Sequence, residues 1–434
     1  MKSQSFAETV LLWFYPLIMA SSLLIAINIV DLSQIYYFFI VAIMFIAFHY
    51  LPRSHSSYGI KVVVWCFIIY TLTSGFFNLF SNLTLGYLFN EIKMFIIPIL
   101  FVFVGLSYTG KDLYIKFLYS TLFCLLMGFL LYVLRPEWYV NFLVRVWNDT
   151  WYSSYQSIEN ANTIMDAFRF SSFFSSSYAI SYYSSFALCI VLDDMVKTEE
   201  KRLIEKRHVQ LTIVISCLFG SILSFHRVAM VFQVFLLVYY FLYCVKKKNP
   251  AIKYFAMMLL GLFVVIAVSL PFMVKTDMME RIVERIGDTS FSKAMEGDRT
   301  NQNEEAIASW KDVIWGDGTG SKGAFAMQDR LPAITDGNYT KILVENGVVG
   351  LSIFMFMAFM TVKRGIKYFN IYKAELFIVV YTLLSMTGAN SLCISYHFVL
   401  IFWFALGRIW NKKLLLNKKS YGNNSILSST IPSV

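Results

Sequence analysis

Twelve apolar runs, most close to the length that crosses a bilayer, dominate the sequence: 8–30, 35–51, 62–80, 92–107, 114–134, 178–195, 210–225, 228–245, 254–274, 338–362, 374–388 and 393–408. A helix of about 20 apolar residues spans a hydrocarbon core of ~30 Å. Lipid offers no hydrogen bonds, so a crossing segment must satisfy its own backbone. These runs are continuous rather than alternating, which selects helices over a barrel. The chain is 58% hydrophobic, against roughly 45–50% apolar for a soluble domain. The expected architecture is an all-α polytopic transmembrane helix bundle of about twelve spans over residues 1–408, with a tail at 409–434 that is polar and rich in Ser and Asn from Leu414 on.

A net charge of +10 over 434 residues invites a nucleic-acid partner, but the distribution of that charge argues for none. Basic clusters fall at Arg53 and Lys61, Lys111 and Lys116, Lys201 to Arg207, Lys246 to Lys248, Lys363 to Lys373, and Arg408 to Lys419. These are alternate connections, so the positive-inside rule puts them and both termini in the cytoplasm, with 135–177, 275–337 and the turn Phe225 to Arg227 outside. The first run is full length and lacks a small-residue cleavage site, so it reads as a retained span. All six cysteines lie inside predicted spans without a CxxC pair, which argues against a disulfide framework or a zinc site. No P-loop, HExxH, paired HxH or nucleophile elbow occurs, so no metal and no other cofactor is expected.

The long outer segment is too patterned for a linker. Met279, Ile282, Val283 and Ile286 recur at helical spacing, as do Ile307, Trp310, Val313 and Ile314, and Gly-rich turns stand at Gly287-Asp288 and from Trp315 to Ser321. Two short amphipathic helices are expected across the outer mouth.

Charged residues at the membrane boundary are costly unless they pair, snorkel or bind something. Arg169 precedes a Ser-rich run that leads into the sixth span, where a guanidinium, hydroxyls and a helix N-terminus suit a phosphate or pyrophosphate, although the residues alone favour a snorkelling side chain on a helix interface. Arg227, with His226, sits in a turn so short that it is pinned at the surface, either as a headgroup anchor or facing a lipid-linked anion. Arg299 precedes the Trp310 segment. Asp336, opening the tenth span, has the chemistry of a general base for a sugar hydroxyl, although Asp336 or Asn338 can instead cap the helix. Glu345 can serve the same site or be a buried partner for an Arg.

These residues carry a resemblance. Arg169-Phe-Ser-Ser-Phe-Phe-Ser is similar to the Arg-x-x-Gly-x-Phe run of the O-antigen polymerases and ligases, and Leu223-Ser-Phe-His-Arg-Val-Ala is similar to their Ser-x-Ser-Arg-Gly-Ala turn. Arg299 through Trp310, Ile314-Trp-Gly-Asp-Gly-Thr-Gly and Asp336 through Leu351 resemble that family's last block, in the same order, so the likeness covers roughly residues 165 to 355. Ser172 stands where the family has glycine, and Asp336-Gly337 where the ligases have histidine, which favours polymerase over ligase. The resemblance implies a metal-independent membrane glycosyltransferase acting on undecaprenyl-pyrophosphate-linked glycans, as donor and acceptor, at the outer face of a bacterial inner membrane, with a chain-length regulator as partner. It implies that Arg169, Arg227 and Arg299 neutralise the donor pyrophosphate while Asp336 orients or deprotonates the acceptor hydroxyl, and that the product is a surface polysaccharide such as O-antigen or capsule. A flippase for the same lipid-linked unit is the rival of a different class, but it calls for cations in a central cavity and short outer loops. A mannosyltransferase-like fold needs acidic residues in a long first loop, whereas that loop here is only about Asp31 to Gln34.

Overall fold

The computed structural model describes residues 5–29, 32–52, 58–79, 85–150, 170–174, 177–224, 226–261, 304–305, 307–323, 334, 337–388, 392 and 396–416, and no strand occurs among them. The helices are α1 (Phe6–Ala26), α2 (Leu32–Tyr50), α3 (Tyr58–Asn78), α4 (Leu85–Ser107), α5 (Asp112–Leu134), α6 (Glu137–Thr150), α7 (Ser177–Met195), α8 (Arg207–Leu223), α9 (Arg227–Lys247), α10 (Ile252–Gly261), α11 (Asn338–Lys367), α12 (Phe369–Ser385) and α13 (Tyr396–Ile409). Six of them, α1, α3, α4, α5, α9 and α11, are long and apolar enough to cross a membrane. The expected run 254–274 is described only as far as Gly261. Helix α6 lies in the expected outer segment 135–177, where no helix was foreseen. Arg135 closes α5 in a left-handed conformation, φ +48°, and Pro136 and Glu137 then open α6 as good starting residues.

Helix α4 is not regular. A π-turn occupies Ile92–Ile96, immediately after Glu91 and one residue short of Pro98. Proline has no N–H to return to the preceding turn and crowds it, so the ladder is re-registered there.

Helix α7 is the centre of the bundle. It packs against α5, α8, α9, α12 and α13, and nearly all of its residues are buried. Polar side chains tie it to its neighbours: Gln233 of α9 donates to Ser185 Oγ at 3.2 Å and to Ser221 Oγ of α8 at 2.5 Å, and Tyr182 pairs with Ser385 of α12. Between α4 and α13 the backbones nearly touch. A side chain on Gly105 or Gly407 would strike the other helix's main chain, so close packing of small residues replaces a hydrophobic drive that lipid does not supply.

The bundle has two chemically distinct ends. At one, Arg408 donates to Glu375 Oε1 at 2.8 Å and to the Gly110 carbonyl at 3.0 Å, Asn249 donates to the Val196 carbonyl at 2.8 Å, and Lys373 stands 3.9 Å from Asp193. The basic connections after α4, α7, α9, α11 and α13 therefore meet there. At the other end Phe170 N–H bonds the Leu223 carbonyl, and Asn338 N–H bonds the Met386 carbonyl.

Candidate functional site

Helix α11 is two helices joined across a break. Gly347 has φ +64° and ψ −175°, a region open essentially to glycine, and a Cβ there would collide with the Ile314 carbonyl. A broken helix leaves carbonyls before the break and N–H groups after it without intrahelical partners. Residues 312–323 supply them. Asp317 and Gly318 N–H donate to the Val344 and Glu345 carbonyls at 2.9 Å, and Tyr70 OH of α3 donates to the Asn346 carbonyl at 2.8 Å. In return, Val348 and Val349 N–H donate to the Val313 and Ile314 carbonyls at 3.0 and 3.3 Å.

This exchange overturns one expectation. Ile307, Trp310, Val313 and Ile314 do not share a helix: helical structure ends at Ala308, and turns follow to Gly323. Asp317 Oδ1 accepts from Lys311 N–H at 2.9 Å and Asp312 Oδ1 from Ile314 and Trp315 N–H at 3.0 Å, local bonds that compete with a helical ladder. Gly316, Gly318 and Gly320 take positive φ, which the turns require. The N–H groups of Gly316 and Gly318 face protein carbonyls rather than an open nest. The other expected amphipathic segment, Met279 to Ile286, lies outside the described residues.

Under these turns lies a buried ion cluster that sequence reasoning missed. Lys341 Nζ is 2.5 Å from Glu91 Oε1 and 3.9 Å from Glu345 Oε2, with each residue about 2% exposed. Glu345 Oε1 accepts the backbone N–H of Lys322 at 3.0 Å, and the Lys322 ammonium bonds Ser309 Oγ at 2.5 Å. Burial pushes the Lys322 amine below its usual range, opposed by the nearby Asp317 and Glu345 carboxylates. The one sequence signal for the cluster was a Lys and a Glu four residues apart inside an apolar run. Among the described residues no three His, Cys, Asp or Glu side chains are grouped to hold a metal ion.

Four of the seven residues singled out in the sequence are described. Asn338 is fully buried and its Oδ1 accepts from Leu392 N–H at 2.9 Å, so it fastens the segment after α12 rather than capping its own helix, whose cap position is Gly337. Glu345 is a buried partner, of lysine rather than arginine. His226 caps α9, its Nδ1 accepting from Ala229 N–H at 3.2 Å, which puts the neutral ring's proton on Nε2. Arg227 is exposed at the first turn of α9. The His226 ring is 6.2 Å from Tyr182, Tyr182 pairs with Ser385, and the next residue, Met386, receives Asn338 N–H, so the His226–Arg227 turn and the start of α11 share one end of the bundle. Arg169, Arg299 and Asp336 lie outside the described residues.

Compared with known proteins, the chain matches no protein-family model and no curated sequence.

Proposed function

We propose that this chain is a membrane glycosyltransferase that joins undecaprenyl-pyrophosphate-linked oligosaccharide repeat units into O-antigen or capsular polysaccharide at the outer face of a bacterial inner membrane, with both termini in the cytoplasm. One observation carries the reading: the described parts of separate stretches that resemble the polymerase family, the His226–Arg227 turn, the turns from Ile314 to Gly320 and the start of α11 at Asn338, lie at the same end of the bundle, away from the basic connections. Arg227 stands exposed there, as a group meeting a lipid-borne anion must.

In the proposed reaction the acceptor sugar's hydroxyl oxygen attacks the anomeric carbon of the donor. The carbon–oxygen bond to the pyrophosphate breaks, undecaprenyl pyrophosphate leaves with the electron pair, and the hydroxyl proton passes to a base. Arg227 stabilises charge growing on the leaving group, a preorganised electrostatic role. Arg169 and Arg299 join it, and Asp336 takes the proton, on the strength of the resemblance alone. Asn338 and Glu345 act through the fold, since both are turned toward protein partners.

The test is a gel of surface polysaccharide from a strain lacking the gene, restored with wild type or with Arg227→Ala at equal membrane level. The expected result for the null strain and for the variant is collapse of the ladder to core plus a single repeat. Unattached lipid-linked polymer indicates a ligase instead, and loss of the single repeat indicates a flippase. An unchanged ladder with Arg227→Ala removes the role given to that residue.

A further inference from the structure

Val313, Ile314 and Trp315 are three consecutive apolar residues with 54%, 58% and 59% of their surface exposed, in a segment with no helix or strand of its own. Such a loop is ordinarily polar, because its backbone needs water. Here four of the six backbone polar groups of these residues have their own partners, the Ile314 and Trp315 N–H in Asp312 Oδ1 and the Val313 and Ile314 carbonyls in Val348 and Val349 N–H, and the Trp315 carbonyl shares Tyr70 OH, at 3.1 Å, with the Asn346 carbonyl at 2.8 Å. Irregular backbone is tolerated at membrane depth only where protein covers it, and each of these bonds is to a protein group, on Asp312, α11 or Tyr70.

Depth is set by α3, which packs on α11. Tyr70, which holds Trp315, lies eight residues before the end of α3 at Asn78, or about 12 Å along the axis at ~1.5 Å per residue. Thr319 Oγ1 bonds the Thr71 carbonyl at 2.7 Å, at a similar level. The turn is thus tucked well below the end of a helix long enough to span a bilayer. Its neighbours continue the same surface: Val62, Ile69 and Phe76 form an exposed apolar stripe on α3, and Val348, Met355 and Phe359 form another on α11.

We propose that Val313–Trp315 is a membrane-inserted turn, its three side chains packed among lipid acyl chains beside α3 and α11. The occupant is lipid because the patch is continuous with the exposed apolar stripes of two helices long and apolar enough to span a membrane, and most of its backbone polar groups already bond to protein. The inference goes beyond the proposed reaction and does not depend on it.

The chain has nine tryptophans, so the test reads the emission lost on Trp315→Phe in the full-length protein in phosphatidylcholine vesicles. The expected result is that this component is quenched by acyl-chain-brominated phosphatidylcholine and spared by aqueous iodide. Quenching by iodide with no effect of brominated lipid overturns the proposal. Should Trp315→Phe fail to accumulate, a nitroxide on Ile314→Cys gives the same reading. Accessibility to oxygen matching that of a label on Phe359→Cys is expected, and accessibility to an aqueous nickel chelate overturns it.

Discussion

Ser172 has a left-handed backbone, φ +54°, in a fully buried site where its Oγ donates to the Cys124 carbonyl at 2.8 Å and its own carbonyl accepts from Tyr139 OH at 2.9 Å. That conformation costs a non-glycine residue roughly 1–2 kcal/mol, and the hydroxyl's bond returns about 1 kcal/mol. Ser172→Gly is therefore expected to be close to neutral, Ser172→Ala to lose about 1 kcal/mol, and Ser172→Val to be worst, since a β-branched residue resists positive φ. Melting of the purified protein in detergent should rank them Gly, Ser, Ala, Val from most to least stable, and a Val variant above wild type would refute the account. This backbone was not read from the sequence: the resemblance marks Ser172 only as a departure from glycine, and periodicity carries no information on φ. His226 and Arg227 were legible because polar residues between two long apolar runs stand out. The pairing of Glu91 with Lys341 was not, because it spans 250 residues and each charge has a nearer candidate along the chain, Lys93 for Glu91 and Glu345 for Lys341.

At the scale of elements, α11 joins α3 and α4 through its break. Gly347→Ala forces a Cβ onto the Ile314 carbonyl in addition to a backbone penalty of about 1–3 kcal/mol. The expected outcome is loss of folded protein from the membrane, whereas Gly86→Ala, whose new methyl meets open space in α4, should leave its level unchanged or higher. The Lys341–Glu91 pair ties α11 to α4 at the π-turn. Removing one member of a buried pair costs about 3–5 kcal/mol, while replacing both by apolar groups is often neutral. Lys341→Leu should thus be more damaging than Lys341→Leu combined with Glu91→Leu, as read by melting temperature and membrane level; equal damage would mean the two charges are not coupled. Most described helices coincide with apolar runs, α6 excepted, but the break was not readable: residues 338–362 are continuous in composition, and what divides them is a conformation of Gly347 that only the turns opposite make favourable.

Across the whole molecule, the alternation of basic clusters corresponds to a real gathering of those connections at one end, because each helix reverses direction and brings every second connection back. In a background with Cys66, the exposed cysteine among those described, changed to Ser, an impermeant maleimide should label Lys311→Cys on intact cells and Lys248→Cys only after permeabilisation. The reverse pattern would invert the topology and the face assigned to the reaction. The pairing of Glu91 with Lys341 also fixes an order of events during synthesis. At roughly 5–20 residues per second, the partner of Glu91 is made some 12–50 s later. Throughout that interval the nascent chain holds an acidic residue in a span with nothing to answer it, at a cost of about 3 kcal/mol if it sits at the bilayer centre. A chain halted before residue 341 therefore keeps Glu91 without the lysine that pairs with it in the finished fold.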